Sequence, residues 1–69
     1  MELEKVLNIT NVWTYVKIRE LKNSNIDIVS DLLININGRA RKDSSIEKLY
    51  SRSVCAIQVI ENALILTII

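Results

Sequence analysis

A chain of 69 residues with one cysteine and no histidine has nothing to staple it together. Cys55 has no disulfide partner within the chain, and a Cys/His zinc site cannot be assembled. Domains this small bury only about 60% of the surface their unfolded chains expose. Without crosslink or metal they lean on oligomerisation. The composition points the same way: 49% of residues are hydrophobic, only 4% aromatic, and isoleucine alone occurs 12 times. Mean hydropathy is +0.22. These features predict a single domain over residues 1–69 that self-associates. The aliphatic excess is densest after Asn62, so Leu64, Leu66 and Ile68 are predicted to lie against a partner chain, with residues 63–69 as the homo-oligomer contact.

Catalysis is not expected. The commonest general base is missing, and neither a Ser-His-Asp nor a Cys-His arrangement can be built without histidine. A lone Cys55 in an apolar run reads as a small core residue rather than an activated nucleophile. With one glycine, neither a phosphate loop nor a dinucleotide fingerprint is possible. No cofactor, metal or small-molecule substrate is expected. The start Met1–Lys5 lacks the basic character of a secretory signal. Val54–Ile69 is mostly aliphatic but carries Gln58, Glu61 and Asn62, and falls short of the roughly 20 apolar residues that span a bilayer. A membrane-associated C-terminal helix is the least favoured reading, and a soluble cytoplasmic protein is expected.

Local patterns predict the elements. Leu3–Ile9 alternates polar and apolar residues and reads as a strand. Thr10 or Asn11 then caps a helix running from Val12 to about Lys22, broken by Asn23-Ser24-Asn25. Ile26–Val29 fits either a helical turn or an extended connection. Leu32–Asn37 alternates like a strand closed by Gly38. Ser44-Ser45-Ile46-Glu47 has the form of a capping box, and Ile46, Leu49, Tyr50, Ser53, Ile57 and Ile60 continue at helical spacing, predicting a helix over 44–61. Residues 63–69 fit a helix extension or a buried strand. The fold expected is α/β, a small β-α-β-α-β two-layer domain, with an all-α bundle as the alternative.

Net charge is +1, which gives no support to a dedicated nucleic-acid binder. Yet three of the nine cations, Arg39, Arg41 and Lys42, sit together after Asn37-Gly38. On a loop leading into a helix they would suit phosphate oxygens, fixing affinity rather than sequence readout. The plainer alternative is a solvated turn. Trp13 and Tyr15 read as packing residues, with base stacking as the alternative.

Val6-Leu7-Asn8-Ile9-Thr10-Asn11-Val12-Trp13-Thr14-Tyr15-Val16 resembles the first strand and helix start of the Alba family of archaeal chromatin proteins. Leu33-Ile34-Asn35-Ile36-Asn37-Gly38-Arg39-Ala40 is similar to that family's second strand and its G-R-A motif. The resemblance, spanning roughly residues 4–60, implies an Alba-like α/β fold and a homodimer binding DNA or RNA with little sequence preference. It implies that Arg39 is the loop arginine approaching the nucleic-acid backbone, with Asn37, Gly38, Arg41 and Lys42 beside it. It also implies a nucleoid-associated location if DNA is the ligand. The family's paired lysines are replaced by Ile9 and Thr10, Asn37 stands where a second arginine is common, and the terminal hairpin is shortened. These changes remove cations, which supply most nonspecific affinity. The competing reading is a non-enzymatic homo-oligomeric interaction or accessory module with no nucleic-acid role.

Overall fold

A computed structural model describes all 69 residues. It contains three helices, α1 (Leu3–Asn8), α2 (Leu33–Ala40) and α3 (Ser44–Glu47), the last running into a 3-10 turn at Lys48–Ser51. Four strands, β1 (Tyr15–Glu20), β2 (Asn23–Leu32), β3 (Val54–Ile60) and β4 (Ala63–Ile68), form one mixed sheet of order β2-β1-β4-β3. The two hairpins β1–β2 and β3–β4 are antiparallel, and β1 joins β4 in parallel. The α/β expectation holds and the all-helical alternative does not. The order of elements, however, is α-β-β-α-α-β-β rather than β-α-β-α-β.

Each reversal has a local cause. Leu3, Val6 and Leu7 lie at i, i+3 and i+4 and are all buried, which only a helix achieves; a strand would have buried Lys5 with Leu3 and Leu7. Val16 and Ile18 are buried while Lys17 and Arg19 take the other face, so Tyr15–Glu20 is a strand where a helix was predicted. The residues resembling an Alba strand-then-helix thus fold in the opposite order, helix first.

Leu33 and Ile36 form the buried stripe of α2, so Leu33–Asn37 is helical and Gly38 lies inside the helix rather than closing a strand. Two of the orphan N–H groups that open α2 are taken up by the preceding loop: Leu33 N–H donates to the Thr14 carbonyl (2.9 Å) and Ile34 N–H to that of Val12 (2.8 Å). Asp43, not Ser44, caps α3, accepting from Ser45 N–H at 2.9 Å and Ser45 Oγ at 2.6 Å. The predicted 44–61 helix stops after two turns. Val54–Ile60, rich in β-branched residues, crosses to the sheet as β3 instead. Of the two readings left open for residues 63–69, the strand is realised.

All the helices lie on one side of the sheet. Leu3, Val6, Leu33, Ile36, Ile46 and Leu49 close over Val16, Ile18, Leu66 and Ile68 to make the core. This corrects the predicted partner face. β4 is a central strand, and Leu66 and Ile68 are fully buried inside their own chain, with Leu64 packed against the same cluster. The C-terminal aliphatics are spent on the monomer's own core.

Candidate functional site

Two surfaces collect the features a function could use. The first is the cationic region. Asn37, Gly38 and Arg39 stand on α2, and Arg41 and Lys42 follow in the turn to α3. Asp31, Asn35, Gly38, Arg39, Arg41 and Lys42 surround a shallow groove of about 680 Å³. Asp31, at the end of β2, organises it. Its carboxylate accepts from Arg39 Nη2 at 2.6 Å, from Asn35 Nδ2 at 3.0 Å and from Leu32 N–H at 2.6 Å. The Asn35 amide, the Leu32 N–H and the Arg39 guanidinium hold its pKa below the usual aspartate value.

Arg39 is therefore already paired, whereas Arg41 and Lys42 have no carboxylate within ion-pair distance. Asn37 does not join the groove. It accepts the Tyr50 hydroxyl at 2.6 Å, tying α2 to the 3-10 turn, and burial raises the Tyr50 pKa. The helix that was to offer its N-terminus to a phosphate has only four residues, and the Asp43 carboxylate occupies its cap. The sequence brings three cations together, but the fold neutralises one and sets a carboxylate beside the others.

Trp13 is 67% exposed and does not pack in the core, contrary to its predicted role. Tyr15 is also on the surface, its hydroxyl 2.9 Å from Ser30 Oγ.

The second surface, which sequence reasoning missed, is the outer edge of β3. Because β3 ends the sheet order, only one of its sides meets β4. Six of its seven residues are exposed, among them Ile57 (56%), Val59 (72%) and Ile60 (49%). Cys55 is exposed as well, so the core role predicted for it is incorrect. No residue of Val54–Ile60 is charged and none is proline, the devices with which edge strands ordinarily discourage pairing.

Which backbone groups face outward follows from the hairpin. Glu61 and Asn62 both have positive φ (51° and 66°), the signature of a two-residue type I′ turn between Ile60 and Ala63. The pair next to such a turn is hydrogen-bonded, and pairs alternate from there. Ala56, Gln58 and Ile60 therefore bond to β4, while Ile57 and Val59 turn their N–H and C=O groups away from the sheet. Nothing within the chain bonds to them. The start of the same edge is covered. The Ser53–Val54 peptide sends its C=O to Ile69 N–H (2.9 Å) and its N–H the opposite way, to the Met1 carbonyl (2.7 Å). Leu3 N–H donates to the Arg52 carbonyl (2.8 Å), so residues 1–3 form an antiparallel stub against Arg52–Val54. The signal for a strand was present in the uncharged, β-branched run 54–60, but helical spacing concealed it.

No His/Cys/Asp/Glu group is arranged to hold a metal ion, and no helix is long and apolar enough to cross a membrane. Comparison of the chain with protein-family models, curated proteins and solved structures yields no match.

Proposed function

We propose that this chain is a non-enzymatic assembly module that joins further copies of itself through the outer edge of β3. The observation carrying this reading is the uncharged strand Ala56–Ile60, whose Ile57 and Val59 backbone groups are unpaired and whose aliphatic side chains are exposed. An edge of this kind is a template for another strand, and a small domain with a thin core gains stability by using it. The aliphatic surplus of the sequence supports the same conclusion, at β3 instead of β4. Sedimentation velocity over a concentration series tests the reading. The native chain is expected to assemble and Val59→Lys to sediment as a folded monomer. Equal behaviour of the two would refute it.

A second reading, nucleic-acid binding without sequence readout, rests on Arg41 and Lys42 being free of carboxylate partners beside Arg39. A self-assembled protein would present that pair more than once. Titration with DNA and RNA oligonucleotides at low salt tests it. An affinity unaltered in Arg41→Ala/Lys42→Ala would dismiss it.

A further inference from the structure

We infer that assembly closes as a two-fold dimer in which β3 pairs antiparallel with β3 of a second copy, centred on Gln58, making one eight-stranded sheet. This rests on the reading that copies join at the β3 edge, and names which edge meets it and in which register.

The register follows from what is left open. The Met1–Leu3 stub occupies the edge as far as Val54, and the β3–β4 ladder carries an irregularity between Val54 and Ala56. The chain turns back at Glu61 and Asn62. The regular, uncovered stretch is Ala56–Ile60, and its midpoint is Gln58. Two-fold pairing about Gln58 sets Ile57 opposite Val59 of the second copy and Val59 opposite its Ile57. These are the residues whose N–H and C=O groups point outward, so each reciprocal pair is satisfied. Ile57 and Val59 share the helix side of the sheet, and the pairing covers these aliphatics with each other. On the other side Ala56 meets Ile60, and the two Gln58 amides, each both donor and acceptor, meet on the axis.

Symmetry selects the direction. Only antiparallel strands set the outward groups of Ile57 and Val59 opposite one another in reciprocal pairs about a two-fold axis. Closure is favoured over a fibre by the other edge of the sheet. The β1–β2 ladder has two register shifts, and β2 carries Asp27, Asp31 and the polar start Asn23-Ser24-Asn25. A β3-to-β2 contact would propagate without end, while β3-to-β3 is isologous and stops at two.

The experiment uses the full chain with Cys55→Ser to leave no native thiol, plus one new cysteine. Gln58 sits at a non-hydrogen-bonded position of the new pairing, where facing Cα atoms lie about 4.5 Å apart. That is within the roughly 4.4–6.8 Å a disulfide bridges. In an oxidised-glutathione buffer, Gln58→Cys is expected to lose its monomer band on a non-reducing gel to a species of twice 7.9 kDa. Ile57→Cys, offset from its own counterpart by two residues, is expected to stay largely monomeric. Sedimentation of the Cys55→Ser parent should plateau at the dimer mass. If that parent assembles in a Val59→Lys-sensitive manner but Gln58→Cys does not crosslink, or if assembly grows past two copies, the two-fold pairing is wrong while edge assembly stands. If Val59→Lys has no effect on assembly, or the parent remains monomeric throughout, both fall.

Discussion

Asp31 and Arg39 are joined by a 2.6 Å ion pair between the end of β2 and the last turn of α2. Three residues that read as one basic cluster in the sequence are thereby unequal. Arg41 and Lys42 are available to an anion, whereas Arg39 must first leave a carboxylate.

That inequality sets the salt dependence of any nucleic-acid binding. Each phosphate neutralised contributes about −0.9 to the slope of log K against log salt. With only Arg41 and Lys42 engaged the slope is expected near about −2. Asp31→Asn, which frees Arg39, should steepen it to about −3 and tighten low-salt binding. Fluorescence-anisotropy titrations across a salt series measure both. An unchanged slope in Asp31→Asn would show that Arg39 makes no phosphate contact.

Gly38 is expected to be replaceable. It lies within α2, has no positive φ, and a Cβ built on it meets nothing within 4 Å. Gly38→Ala should stabilise the fold by about 0.5–1 kcal/mol, since glycine in a helix interior forfeits backbone entropy. Denaturant titration measures the gain. If instead Gly38 serves as a point where a nucleic-acid backbone approaches the chain, the same variant weakens oligonucleotide binding.

Three carboxyls give the protein an acid limit. Glu20 is held below its usual 4.5 mainly by a hydrogen bond from Arg52, opposed by partial desolvation. Asp31 and Asp43 are held below 3.8, mainly by the Asn35 amide and the Ser45 hydroxyl respectively. A carboxyl with a depressed native pKa contributes stability in full above its unfolded value, and loses it as pH falls through the lowered native one. The thermal midpoint should stay level from neutrality to about pH 5 and drop below that. Arg52→Ala should reduce the part of this drop that comes from Glu20. A midpoint that rises on acidification would contradict the assignment.

What was legible in the sequence was the α/β class of fold and the helix start near Ser44, whereas the helices Leu3–Asn8 and Leu33–Ala40 read as strands and the strand Tyr15–Glu20 as part of a helix. Short runs defeated the finer reading. Leu3–Ile9 and Leu32–Asn37 each match period two as well as period 3.6 over six or seven residues, and only tertiary packing of Leu3 and Leu33 decides between them. The stripe from Ile46 to Ile60 was continuous in spacing, yet Val54, Ile57, Val59 and Ile60 prefer extended backbone and the chain changes structure at Arg52. The candidate edge could not be seen beforehand, because an edge is a property of strand order.

The amide hydrogens of Ile57 and Val59 report pairing at the β3 edge themselves, because they point away from β4 and have no partner in a single copy. Ala56, Gln58 and Ile60, bonded to β4, are the internal reference and should be protected in every state. Amide hydrogen exchange at Ile57 and Val59 is expected to be slow in the native chain and slower still at higher protein concentration, and fast at Ile57 in Val59→Lys. Rapid exchange of both in the native chain at every concentration, with the three reference amides still protected, would contradict pairing at this edge.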